Sequence, residues 1–179
     1  MTYKDRDIRK LKKYANKLGL KVYTKSYNKD TGSAEYVSGK YITLFVNKYT
    51  TKNDMILSLL HELGHHLDWL EKSTSKEELI AFEYLAQGSM VGSRKDIPKK
   101  YRRRIFLSEK SGIKYMSKIH ALLDLSIPFY KVKQQEDMDI LQYEFLYKKG
   151  RFITNIEATK HIYKKVDFYK RKYGRQKSW

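Results

Sequence analysis

Residues 55–70 read "MILSLLHELGHHLDWL", and the rest of the sequence can be interpreted outward from them. Apolar residues recur here every three or four positions, which predicts an amphipathic helix over about residues 52–70. His61 and His65 project nearly opposite the apolar face of this helix. That face consists of Met55, Ile56, Leu59, Leu60, Leu63, Leu67 and Leu70. We therefore expect the apolar residues to enter the core and the histidines to face solvent or a cleft.

His61, Glu62 and His65 form an H-E-x-x-H array within this helix. Residues four apart lie one turn apart on the same face, so both imidazoles can reach one Zn²⁺ ion. Glu62 lies beside the pair, where a carboxylate can act on a metal-bound water as the catalytic base. His66 falls at the edge of the apolar face and is expected to be a hydrogen-bonded, partly buried histidine. Gly64 is unfavourable inside a helix, which suggests that another backbone approaches closely there.

A catalytic zinc ion generally needs a third protein ligand and one open position. The candidates are Asp68, Glu71, Glu77, Glu78, Glu83, His120 and His161. A capping signal at residues 75–78 predicts a second helix, antiparallel to the first and running to about residue 91. Glu83 is the acid that such a pair places at the height of His65, on an apolar face where a bare carboxylate is costly to bury. We therefore predict Glu83 as the third ligand, with His120 and His161 as open alternatives.

The flanking sequence predicts an α+β fold that is mostly helical. Residues 1–20 have the pattern of an amphipathic helix, and "AEYV" and "YITLFV" are typical of a β-hairpin. One strand of this hairpin is expected to offer an edge to an extended substrate. The basic run "KKYRRR" begins at residue 99, and helices are expected around residues 112–125, 135–148 and 155–173. The predicted organisation is a core over residues 1–98 and a basic, mostly helical extension over 99–179, which can pack together as one domain.

Composition restricts the classes of partner and compartment. The chain has 179 residues, no cysteine and a net charge of +18. Residues 1–98 hold 17 basic and 12 acidic side chains. Residues 99–179 hold 21 basic and 8 acidic side chains, so the C-terminal half carries most of the net positive charge. A basic half with interleaved aromatic residues can contact nucleic acid. Without an apolar signal or membrane span, and without cysteine, we expect a cytoplasmic protein with no membrane partner.

Residues 39–90 resemble the ImmA/IrrE family of zinc metallopeptidases. The resemblance rests on "GKYITLFVNKYTTKNDMILSLLHELGHHL" and the later "EYLAQGSM". In that family a short strand precedes the HExxH helix, and a downstream Glu-x-x-Ala-Asn-like segment supplies the third ligand. The resemblance implies His61, His65 and Glu83 as zinc ligands, Glu62 as the general base, and Ala86 and Gln87 in place of the family's Ala-Asn. Gln87 and Ser89 depart from the family's pattern.

The resemblance implies a zincin-like core of the gluzincin type and intracellular proteolysis, often of a DNA-binding repressor. The expected function is therefore a zinc-dependent metallopeptidase acting on an intracellular protein substrate, such as a DNA-binding regulator. The alternative is a non-catalytic protein that binds nucleic acid or a regulator and has a structural or vestigial zinc site. Glu62 favours the enzyme, because a structural site needs no base beside its metal. The donor to the oxyanion is not identified, and His120, His161 and the tyrosines are candidates.

Overall fold

A computed structural model of the chain describes residues 5–26, 33–37, 39–72, 75–91 and 97–174. Within these residues it contains a small three-stranded sheet and eight α-helices, which confirms the predicted α+β, mostly helical class. The elements are α1 (Arg6–Lys17), β1 (Lys21–Ser26), β2 (Ser33–Val37), β3 (Tyr41–Val46), α2 (Lys52–Lys72), α3 (Lys76–Val91), α4 (Lys99–Ile113), α5 (Tyr115–Leu122), α6 (Phe129–Lys149), α7 (Asn155–His161), a short 3-10 helix (Tyr163–Lys165) and α8 (Val166–Tyr173). No helix in the described ranges is both long and apolar enough to cross a membrane.

The sheet is built around β3, which pairs in parallel with β1 and antiparallel with β2. The predicted hairpin of β2 and β3 is confirmed, with Ala34 opposite Leu44 and Tyr36 opposite Ile42. Ile42, Thr43 and Leu44 are all buried, so both faces of the central strand are covered. Because β3 is paired on both sides, it offers no edge to a substrate. Of the two hairpin strands, only β2 lies at an edge of the described sheet.

The apolar face of α2 packs against α1 and the sheet, as its periodicity predicts. Met55, Ile56, Leu59, Leu60 and Leu63 belong to the main core cluster, together with residues of α1 and β3. Leu70 differs from the prediction, since it is 53% exposed near the end of the helix. The helix begins with a reciprocal cap, in which Asp54 N–H donates to Thr51 Oγ1 and Thr51 N–H donates to the Asp54 carboxylate. This cap satisfies backbone donors that the first turn leaves free.

The sequence analysis did not predict the strand β1, and it did not predict the helix α4. α4 starts after Pro98 at the basic run that was expected to mark a boundary, and it buries Ile105, Glu109, Gly112 and Ile113. It packs against α2, α3 and α6, while α5 also contacts α2. A buried carboxylate also joins α1 to the connection between α5 and α6, because Asp7 of α1 accepts hydrogen bonds from the backbone of Ser126 and Ile127. Residues 99–174 therefore pack directly on the N-terminal half.

α2 and α4 approach each other most closely at two glycines. A Cβ atom on Gly64 would lie 2.4 Å from the carbonyl oxygen of Gly112. A Cβ atom on Gly112 would lie 2.7 Å from Nδ1 of His65. Neither contact can be relieved by moving a flexible side-chain end, since the first involves backbone and the second an imidazole ring. The close backbone approach that the sequence suggested at Gly64 is confirmed.

Replacing Gly64 with alanine is expected to destabilise the protein. Alanine gains about 1 kcal/mol over glycine in a helix interior, but overpacking a tight contact costs about 1–3 kcal/mol. We expect the strain to dominate because the blocking atom belongs to the backbone of α4. The free energy of unfolding, measured by urea denaturation, should fall by about 1 kcal/mol. Glu77→Ala on the exposed side of α3 is the control. A Gly64→Ala variant more stable than the wild type would contradict this contact.

Candidate metal centre

The side chains of His61, His65 and Glu109 converge between α2 and α4. Nε2 of His65 lies 3.0 Å from Nε2 of His61 and 3.1 Å from Oε2 of Glu109. Nε2 of His61 lies 3.4 Å from the same oxygen. Ligands bound at about 2.0–2.1 Å in a tetrahedral zinc site are about 3.3–3.4 Å apart. The three atoms already have nearly the spacing of one face of such a site, so they can hold a metal ion.

Asp139 of α6 orients the imidazole of His61 through Nδ1, the ring nitrogen on the side away from His65 and Glu109. Nδ1–H of His61 donates to Oδ2 of Asp139 at 3.0 Å, and Gln135 donates to the other carboxylate oxygen at 2.7 Å. When the imidazole is neutral and Nδ1 holds its proton, the lone pair of Nε2 is directed toward His65 and Glu109. A carboxylate in this position fixes the tautomer of a ligating histidine and raises its basicity. Asp139 is therefore suited to support a ligand without binding the metal itself.

The charges of this group favour a bound cation. The side chains of His61, His65 and Glu109 are only 16%, 15% and 5% exposed. Burial raises the pKa of Glu62. Burial would also raise the pKa of Glu109, but the charges and hydrogen bonds of the two histidines have the larger effect and hold that pKa well below its usual value. Burial alone would lower the pKa of His61, but Asp139 and Glu109 raise it well above its usual value. Three carboxylates thus face two imidazoles, and a divalent ion would replace the positive charge that the two imidazoles carry when protonated.

Glu83, the predicted third ligand, is an exposed residue of α3 and does not belong to this group. The described residues of α3 pack on α4 through Ala81, Phe82 and Leu85. At 100° per residue, Glu83 projects away from that packed side. The structure therefore places Glu109 where the sequence analysis placed Glu83. The reason is that the main partner of both α2 and α3 is α4, whereas the prediction paired α2 and α3 directly.

Two other candidate acids, Glu78 of α3 and Asp68 of α2, have partners elsewhere. Glu78, rather than Glu83, lies on the packed side of α3, where it accepts hydrogen bonds from Arg104 and Ser108. Asp68 accepts from Lys72 at 2.9 Å and from Ser111 at 2.5 Å. These bonds join α2 and α3 to α4. They explain why these acids are retained near the core without a metal.

The remaining histidines also lie outside the group. His66 is buried, accepts a hydrogen bond from the hydroxyl of Tyr36 at 2.9 Å and donates to the carbonyl of Leu18 at 3.3 Å. The expected hydrogen-bonded histidine at this position is confirmed. His120 is buried and donates to the carbonyl of Ile127 at 2.8 Å, and His161 is exposed on α7. Neither is near enough to join the group of three.

Sequence reasoning missed Glu109, Asp139 and Tyr143. The four-residue spacing of Ile105, Glu109 and Ile113 is a helical signal that places an acid on an apolar stripe. Tyr143 follows Asp139 by four residues on α6, so both lie on one face, and its hydroxyl is close enough to Glu109 to feel its charge. Burial and the nearby carboxylates raise the pKa of Tyr143 well above its usual value. It therefore stays protonated and can donate to the carboxylate of Glu109.

Comparisons with known proteins identify no relative. No protein-family model, curated protein or solved structure matches the chain. The side chains of Ala86, Gln87 and Ser89, which enter the resemblance to the ImmA/IrrE family, lie outside the described residues. The resemblance therefore stays a prediction.

Exchanging Glu109 for alanine is expected to abolish stoichiometric metal binding, because only two ligands would remain. Glu83→Ala is the matched control, since it removes the same charge from an exposed position. Metal content per chain is measured by elemental analysis, and affinity by competition with a chelator. Loss of metal from Glu83→Ala together with retention by Glu109→Ala would contradict the assignment of the third ligand.

Exchanging Asp139 for asparagine is expected to weaken metal binding by about 10- to 100-fold, as loss of a supporting carboxylate does at other sites. Asp137→Asn is the control on the same helix, because Asp137 accepts its hydrogen bond from Tyr169 rather than from a histidine. Both variants are titrated with metal under the same conditions. Equal affinities for Asp139→Asn and the wild type would show that His61 needs no such support.

Proposed function

We propose that this protein is a zinc-dependent metallopeptidase that hydrolyses peptide bonds of an intracellular protein substrate. The proposal rests on one observation: the Nε2 atoms of His61 and His65 and Oε2 of Glu109 all lie within 3.4 Å of one another. Glu62 lies beside the two histidines on α2. Two histidines and one carboxylate that leave a fourth position open form a ligand set of catalytic zinc. A base next to that open position is the further requirement for hydrolysis.

Each residue of the site has a distinct role in this proposal. Zinc bound by His61, His65 and Glu109 would acidify a water molecule and polarise the scissile carbonyl. Glu62 would serve as the base toward such a water and as the acid toward the leaving amine, and the raised pKa of a buried carboxyl suits a group that must do both. Asp139 keeps the tautomer of His61 fixed. The protonated hydroxyl of Tyr143 is available to donate to the nearby carboxylate of Glu109.

The position of β2 supports a zincin-like arrangement of substrate and site. Tyr36 of β2 contacts His66, the residue next to His65, so the edge strand lies beside the site helix. An extended peptide can add to such an edge through backbone hydrogen bonds. The high positive charge of the protein would also attract a partner that carries or contacts nucleic acid. We therefore propose an intracellular DNA-binding regulator as the class of substrate.

The alternative is a non-catalytic protein that uses the same site for a structural metal. The low exposure of the three side chains favours it, because a substrate carbonyl must reach the metal for hydrolysis. The two functions differ in what they require of Glu62. A structural site does not need this carboxylate as a base, whereas a peptidase does. The same ligand set also binds iron(II) in oxygenases, so the identity of the metal separates these classes as well.

Exchanging Glu62 for glutamine is expected to reduce peptide hydrolysis by at least about 10²-fold while zinc stays bound. The zinc-loaded full chain is incubated with a library of peptides from digested cellular protein, and new termini are identified by mass spectrometry. Glu71→Gln, an exposed acid on the same helix, is the control. Undiminished cleavage by Glu62→Gln would refute the mechanism. Stoichiometric zinc without cleavage by the wild type would favour the structural alternative, and stoichiometric iron would point to another chemistry.

A further inference from the structure

The last helix, α8, is fixed to the protein by one of its faces. Tyr169 is buried and its hydroxyl donates to Asp137 of α6 at 2.6 Å. Tyr173 packs edge-on against Phe129, with ring centroids 6.1 Å apart. The two tyrosines are four residues apart, so they lie on the same face of the helix. The opposite face of α8 is thereby held outward in a defined orientation.

That outward face combines cations with an exposed aromatic ring. Phe168 is 45% exposed, and Nζ of Lys172 lies 5.4 Å from the centroid of its ring. Arg171 and Lys172 follow Phe168 by one turn, and Lys164 and Lys165 precede it by a similar step, all four being exposed. We call these five residues the α8 basic face: Lys164, Lys165, Phe168, Arg171 and Lys172. Lys164 and Lys165 belong to the 3-10 helix that leads directly into α8.

Among the described residues, the cations of the α8 basic face form no ion pair, although Lys165 lines a cavity with Asp137 and Glu144, which have other partners. In the described part of the chain, the acid of α8 is Asp167, which pairs with Lys170 at 4.0 Å rather than with a member of the face. Four like charges held close together repel one another, and an anionic partner would relieve that repulsion. A chain of phosphates has the required charge.

The exposed aromatic surface among the cations favours nucleic acid over an anionic membrane as the partner of the α8 basic face. A helix that binds a membrane surface presents a broad apolar face outward. Here the apolar residues Tyr169 and Tyr173 point inward, and the exposed rings of this segment are Phe168 and, in the 3-10 helix, Tyr163. Isolated exposed rings next to cations fit nucleotides, whose bases stack on the rings while the phosphates meet the cations.

We propose that the α8 basic face binds single-stranded nucleic acid, through phosphate contacts from its four cations and base stacking on Phe168. This surface is formed by α8 and the turn before it and does not depend on the metal centre. The contacts involve the backbone and the face of a base, so binding is sequence-tolerant. Four phosphate contacts on a single strand give a slope of log affinity against log salt of about −3.

The test is fluorescence anisotropy of a labelled oligothymidylate of about 20 nucleotides, titrated with the full chain over a series of salt concentrations. The charge variant carries Lys164→Gln, Lys165→Gln, Arg171→Gln and Lys172→Gln. The control carries Arg6→Gln, Arg9→Gln, Lys13→Gln and Lys17→Gln, which removes the same charge from exposed positions of α1. Circular dichroism and thermal unfolding verify that each variant is folded. Phe168→Ala tests stacking separately.

The charge variant should bind at least about tenfold more weakly at low salt and lose most of the slope, while the α1 control keeps it. Phe168→Ala should weaken binding about tenfold without changing the slope, since it removes stacking and no charge. Equal losses in the charge variant and the α1 control would overturn the proposal, because net charge alone would explain them. Absence of salt-dependent binding by the wild type would also overturn it. So would binding to vesicles of anionic phospholipid without binding to the oligonucleotide.

Discussion

The contact between Gly64 and Gly112 is the constraint on which the metal centre depends. Helix axes usually lie about 8–10 Å apart, and the smaller distances in that range require small side chains at the crossing. Two glycines allow α2 and α4 to approach until the backbone of one lies against the other. At this separation a carboxylate on α4 can reach both imidazoles of α2 within 3.4 Å. Packing and chemistry are therefore determined by the same pair of residues.

The buried carboxylates and histidines at this contact reduce the stability of the folded protein. Removing carboxylates from water costs free energy that ion pairs repay only in part. The hydrogen bonds from His65 to Glu109 and from His61 to Asp139 lower that cost, but Glu62 stays in the same low-dielectric region. An ion that binds the folded state alone stabilises it by mass action. A metal at this position would thus act on stability as well as on reactivity.

Local patterns predicted the parts of the structure that local interactions determine. The apolar period of α2, its cap at Thr51 and Asp54, and the alternation in β3 each arise from residues a few positions apart. α4 was missed because its basic first turn resembles a linker, although Ile105 and Ile113 carry a helical period. The third metal ligand, Glu109, could not be found by assuming that helices adjacent in sequence are also adjacent in space. Which helix packs against α2 depends on long-range contacts that one sequence does not display.

The distance along the chain between the site residues has a consequence for protein synthesis. His61 meets a carboxylate 78 residues later, and His65 meets one 44 residues later. A ribosome therefore releases the complete H-E-x-x-H helix well before α4 and α6, and chains generally begin to fold from the N-terminal side as they emerge. Until those helices arrive, the two histidines have neither the third ligand nor the support of Asp139. If the site is the proposed hydrolytic centre, a nascent chain with this order of elements would stay inert until α4 and α6 have been synthesised, so neighbouring unfolded polypeptides would not be exposed to a half-made site.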